Sequence, residues 1–125
     1  MTKARILAVD DEPNVTRMIK LNLEATGNFE VREENKGARA LKVARDFRPD
    51  LVLLDVMMPD ADGGDVARAI MDDQVLKNTK IVFLTAIVSR SEVKSTGGEI
   101  SGRVFLPKPV KTDDLIACIY EQLTS

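Results

Sequence analysis

Short apolar runs alternate with helical patterns along the whole chain, and this alternation limits the folds open to it. "RILAV" (Arg5 to Val9) is apolar after its first residue, and "LVLL" (Leu51 to Leu54) and "IVFLT" (Ile81 to Thr85) are nearly continuous apolar stretches of strand length. "FEVREE" (Phe29 to Glu34) begins by alternating apolar and polar, as an edge strand does, and "VFL" (Val104 to Leu106) is a fifth short run. Between them lie amphipathic patterns. Val15, Met18, Ile19, Leu21 and Leu23 recur at helical spacing, as do Ala40, Leu41, Val43, Ala44 and Phe47, then Val66, Ala67 and Ile70, then Leu115, Ile116, Ile119 and Leu123. Pro13 suits the first turn of the first helix, and Gly27 is a stop signal after it. Thr112 is placed to cap the last helix, with Asp113 and Asp114 at the positive end of its dipole. Strands that alternate with helices give an α/β fold, a doubly wound five-stranded parallel sheet covered on both faces.

At 125 residues the chain is one ordinary domain, 1–125, large enough for a core. No apolar run approaches ~18 residues, so no membrane span is expected. The start "MTKARILAVDD" reaches acidic residues too soon for a signal peptide, and the single cysteine, Cys118, permits no intrachain disulfide. Both point to the cytoplasm. Cys118 lies near the apolar stripe of the last helix and reads as a packing residue. The net charge of −2, with both signs interspersed, gives no sign of a nucleic-acid surface. There is no histidine, which removes histidine-based acid–base chemistry, and no tryptophan and one tyrosine, poor material for stacking a flavin or a base.

In a doubly wound sheet, ligands sit beyond the carboxyl ends of the strands. The first run ends in Asp10, Asp11 and Glu12, the third in Asp55, the fourth in Thr85, and the fifth near Lys108. The second ends in Glu33 and Glu34, which read as solvated. Three aspartates, one hydroxyl and one ammonium therefore converge. Three carboxylates at close range repel one another, and a hard divalent cation relieves this. Two or three carboxylates, a carbonyl and waters make an octahedral oxygen site suited to Mg2+. Lys108 would neutralise a phosphoryl group at such a site, and the Thr85 hydroxyl would bond another of its oxygens. These are the needs of phosphoryl transfer to a carboxylate, namely positioning and charge neutralisation.

At these residues the sequence resembles the receiver domains of two-component response regulators, over the whole chain. "ILAVDDEP", "DLVLLDVMMPDADG", "IVFLTA" and "FLPKPV" carry the resemblance, in order and at ordinary spacings. It implies the flavodoxin-like strand order 2-1-3-4-5. It implies that Asp55 accepts a phosphoryl group from the phosphohistidine of a sensor histidine kinase or phosphotransfer protein, met through the first helix and the loop after the fifth strand. It implies Mg2+ held by Asp10, Asp11, Asp55 and the Met57 carbonyl. It also implies a phosphoryl contact from Lys108, with a cis peptide to Pro109, and a switch pair, Thr85 and Phe105. Output to a downstream protein would use the face of the fourth helix, fifth strand and fifth helix, which leaves open a phosphorylation-linked dimer. Such a protein is a phosphoacceptor regulator rather than an enzyme, at most catalysing its own phosphorylation and slow dephosphorylation.

Departures from the family pattern are informative. Ser101-Gly102 stands where Gly-Ala is usual, and "SEVKSTGGEISGR" is polar and glycine-bearing where a longer alanine-rich helix is usual. A short or irregular fourth helix is expected, with a turn or small hairpin around Gly97-Gly98. Two residues beyond Asp55 and Thr85 stand Met57 and Ile87, apolar side chains poorly able to orient an attacking water. Slow self-dephosphorylation is the expectation. Two rivals remain at this level, an unphosphorylated interaction module and a Mg2+-dependent phosphatase. The second lacks an acid–base aspartate near Asp55, since Met57 stands there, and has no room for a cap domain. A flavin or nucleotide binder is weaker, because "DDEPN" after the first strand would repel a phosphate. The chain reads as a stand-alone regulator or the N-terminal piece of a longer one.

Overall fold

The computed structural model describes residues 2–86, 99–100 and 103–124. The elements run β1 (Ala4–Val9), α1 (Pro13–Glu24), β2 (Phe29–Glu34), a short 3-10 turn (Gly37–Arg39), α2 (Ala40–Phe47) and β3 (Leu51–Asp55). A small hairpin follows, β4 (Met57–Met58) and β5 (Ala61–Asp62), then α3 (Gly63–Asp72), β6 (Lys80–Thr85), β7 (Glu99–Ile100), β8 (Arg103–Pro107) and α4 (Thr112–Thr124). The main sheet has the order β2-β1-β3-β6-β8-β7. Its first five strands are parallel neighbours and reproduce the expected 2-1-3-4-5 order. The sixth, β7, was not expected; it pairs antiparallel with β8, with Ile100 opposite Arg103. The expected irregular fourth helix and the hairpin around Gly97-Gly98 lie outside the described residues.

Side chains on a strand alternate between faces, so each central strand feeds two cores. On one face Ile6, Ala8, Leu51, Leu53, Val82 and Leu84 pack with Ile19 and Leu23 of α1 and Leu115 and Ile119 of α4. On the other, Leu7, Val9, Val52, Leu54 and Phe83 pack with Ala40, Ala44 and Phe47 of α2 and Val66, Ala67 and Ile70 of α3. β3 is buried over its whole length, Asp55 included, because both its faces are covered. Cys118 packs against the first core, and burial, with the Glu121 charge adding to it, pushes its thiol up to about 11.

Local chemistry sets the ends of the elements. Pro13 starts α1, where its missing N–H is harmless. α1 ends at Glu24, before Gly27, whose φ of +81° turns the chain toward β2. Asp62 caps α3 by accepting from the Gly64 N–H at 2.7 Å. Thr112 lies within α4 instead of capping it: the Leu115 N–H bonds the Lys111 carbonyl, and the Thr112 hydroxyl accepts from Asn22 of α1.

Candidate functional site

The carboxyl ends of β1, β3, β6 and β8 open on one cleft. It encloses about 250 Å³ and is lined by Asp11, Glu12, Asp55, Met57, Thr85, Ala86 and Lys108. Asp10 lies beneath it and is fully buried; Asp55 and Thr85 are buried as well. Carboxylate oxygens of Asp10, Asp11 and Asp55 lie within 4.8 Å of one another. The Lys108 ammonium stands 2.6 Å from Asp10 Oδ2, 3.4 Å from Asp55 Oδ1 and 3.6 Å from Glu12 Oε1. The peptide between Lys108 and Pro109 is cis. The expected residues Asp10, Asp11, Asp55, Thr85, Lys108 and Met57 are thus brought together. Phe105 stands apart from the cleft, stacked on Phe83 with ring centroids 5.2 Å apart. Ile87 lies outside the described residues.

Electrostatics follow from this crowding. Burial pushes the Asp55 carboxyl up to about 6, and the Asp10 charge and the Asp11 side chain add to the rise. The Lys108 charge and a 3.4 Å bond from the Met57 N–H pull it back. Burial lowers the Lys108 ammonium, but the Asp10 and Asp55 carboxylates outweigh it and hold its pKa above the usual lysine value. Four carboxylates, of Asp10, Asp11, Glu12 and Asp55, surround one ammonium, so negative charge is left in excess. Asp10 Oδ1 accepts from the Glu12 N–H at 2.9 Å. Among the described residues, nothing but the Lys108 ammonium reaches the buried Asp10 Oδ2. Clustered oxygen donors, an under-coordinated buried oxygen and surplus negative charge fit a hard divalent cation.

Two supports of the site were not read from the sequence. Gly63 opens α3 directly under the end of β3. A Cβ there would come within 2.4 Å of the Asp55 carbonyl oxygen and 2.8 Å of the Val56 Cα, so only glycine allows the approach. The Gly63 N–H bonds the Val56 carbonyl at 3.0 Å. The β4–β5 hairpin that carries Met57 is latched by Asp60, which accepts from Gly37 and Ala38 N–H groups at 3.2 and 3.0 Å. The Ala38 bond is the first reason the Asp60 carboxyl stays below its usual range. The Pro-Asp pair in "MMPDADG" was a signal for that turn. Glu33 and Glu34 correct the reading as solvated. Both are half-buried, Glu33 with Oε1 2.8 Å from the Thr16 hydroxyl and Glu34 accepting from the Lys36 N–H at 2.9 Å.

The model of the response regulator receiver domain matches residues 6–120. The chain belongs to that family. The receiver domain is 36% identical over 121 residues to the DNA-binding response regulator MtrA of Mycolicibacterium smegmatis, covering 97% of this chain and 51% of MtrA. It is 38% identical over 113 residues to the response regulator PleD of Caulobacter vibrioides, covering 90% of this chain and 24% of PleD. The chain therefore spans about half or less of these curated relatives. Among solved structures, the chemotaxis response regulator CheY4 of Vibrio cholerae superposes with a TM-score of 0.81 at 30% identity, covering 97% of this chain and 99% of that one. A receiver domain of this family is a module of phosphorylation-dependent two-component signalling, not a classical enzyme, and meets histidine kinases or phosphotransfer proteins. Among the described residues, no helix is long and apolar enough to cross a membrane.

Proposed function

We propose that this receiver domain is a switch whose Asp55 accepts a phosphoryl group from the phosphohistidine of a sensor kinase or phosphotransfer protein. An Asp55 carboxylate oxygen attacks phosphorus, the phosphorus–nitrogen bond breaks, and the departing imidazole takes up a proton, leaving an acyl phosphate. Asp10, Asp11, Asp55 and the Met57 carbonyl would hold Mg2+, which when bound supplies charge neutralisation for the phosphoryl oxygens. Lys108 neutralises a further oxygen and leaves its ion pair with Asp10 and Asp55 to do so. The Thr85 hydroxyl donates to another. Thr85 and Phe105, on neighbouring strands, then carry the change toward the output surface and a downstream protein. The observation that carries this reading is the Lys108 ammonium set 2.6 Å from Asp10 and 3.4 Å from Asp55 at the mouth of one cleft.

Incubation with acetyl phosphate and Mg2+, followed by intact mass, tests it. Wild type gains one phosphoryl group, and Asp55→Asn gains none. Uptake that persists in the variant, or is absent from wild type, rejects the assignment. The phosphoryl group should also be long-lived. The Met57 side chain, 66% exposed at the cleft, has no group able to activate water. Decay after removal of the donor is expected over minutes or longer, and complete loss within seconds would contradict it.

A further inference from the structure

Behind the carboxylates lies a polar chain that phosphoryl transfer does not touch. Thr16, on α1, is fully buried, and Asn35, just past β2, is half-buried. The Asn35 side-chain amide donates to the Asp10 main-chain carbonyl at 2.8 Å and to the Thr16 hydroxyl oxygen at 3.0 Å. The Thr16 hydroxyl stands 2.8 Å from Glu33 Oε1 and 3.1 Å from the Pro13 carbonyl, and donates to one of them. The Asp10 N–H donates to the Glu34 carbonyl at 3.1 Å. The end of β2 therefore grips Asp10 on both main-chain groups.

The location gives this grip its meaning. The register of β1 with β2 ends at Val9 opposite Glu34, so the Asp10 carbonyl lies beyond the ladder. That carbonyl belongs to the peptide joining Asp10 to Asp11. If the peptide turns, the Asp11 carboxylate turns with it and leaves the cluster it forms with Asp10 and Asp55. A side chain serving only to start α1 would need the Thr16–Pro13 contact alone. It would not need an amide reaching in from 25 residues further along the chain.

We propose that Asn35, oriented by Thr16 and Glu33, is a positioning residue that locks the Asp10–Asp11 peptide and presets both carboxylates for a divalent cation. The inference rests on the reading of Asp10, Asp11 and Asp55 as the cation site. Residues that orient metal ligands commonly change metal affinity by about 10–100-fold when removed.

The test is calorimetric titration of the full chain with Mg2+ alone, beside thermal melting in EDTA. Asn35→Ala should raise the Mg2+ dissociation constant by about tenfold, far beyond any change in its EDTA melting. Thr16→Val should weaken Mg2+ in the same direction, and Thr16→Ser, which keeps the hydroxyl, should restore wild-type affinity. If Asn35→Ala does not fold, the two Thr16 variants decide. Equal Mg2+ affinity in wild type and Asn35→Ala, or in Thr16→Val and Thr16→Ser, overturns the clamp and leaves the cation site standing. A wild type that takes up no Mg2+ overturns both, a result recognisable because no variant then differs from it.

Discussion

At the amino ends of the strands, charge is balanced and partly left in water; at the carboxyl ends it is buried and out of balance. At the first, the Asp50 carboxylate accepts from the Arg5 N–H at 2.8 Å, and the Arg5 guanidinium lies 3.9 Å from Glu30. Arg5 and Arg32 both cover the ring of Phe47, at 4.5 and 4.8 Å. Such exposed pairs contribute little, about 0–1 kcal/mol each. At the second end, Asp10 and Asp55 are buried beside Asp11, with the Lys108 ammonium between them. One end of the sheet closes the core. The other gathers buried carboxylates in excess of the one ammonium that faces them.

The largest expected effect separates the two ends. Phe47→Ala removes a fully buried ring at the amino end and should cost about 3–5 kcal/mol of stability in urea unfolding. The stabilisation gained from Mg2+ should stay as in wild type, because the sites are distant and share no partner. A variant whose Mg2+ response falls with its stability would break the comparison.

Next comes pH. The folded Asp55 carboxyl titrates at about 6, against an ordinary 3.8. A group raised in this way stabilises the fold below its unfolded value, and that contribution is lost as pH rises through its folded value. In EDTA, the stability of wild type relative to Asp55→Asn should therefore fall between about pH 4 and about pH 8. Paired denaturation curves across that range check it, and parallel profiles would remove the strain assigned to the carboxyl end.

The third effect is smallest and reverses the second. Mg2+ at about a hundredfold excess over its dissociation constant should add roughly 2–3 kcal/mol by mass action. Asp11→Asn should reduce that gain. A melting temperature indifferent to Mg2+ in wild type would count against the cation site.

The strand ends carrying Asp10, Asp11, Asp55, Thr85 and Lys108 were legible because each follows an apolar run, and the period of a parallel strand is written locally. The parallel order was readable only through the family motifs. The supports were not legible in the same way. Asn35 reaches Asp10 across 25 residues, and Asp60 reaches Gly37 across 23. Neither contact leaves a periodic trace. Glu33 and Glu34 looked solvated because acidic pairs at strand ends usually are, and only the packing of α1 against β2 gives Glu33 its partner in Thr16. The antiparallel β7 was missed because two residues are too few to make a pattern.

Gly63 has a consequence for how this domain tolerates change. It does not line the cleft and carries no side chain, yet any side chain there would meet the backbone of Asp55 and Val56. A survey of every single substitution, scored by signalling, would rank position 63 beside Asp55 itself. On the proposed function the two would differ in kind: replacing Asp55 would leave a folded domain that takes up no phosphoryl group, whereas a side chain at 63 would displace the backbone of Asp55 and Val56. An inventory of intolerant positions would therefore mark both the proposed phosphoacceptor and the empty space that lets it stand where it does.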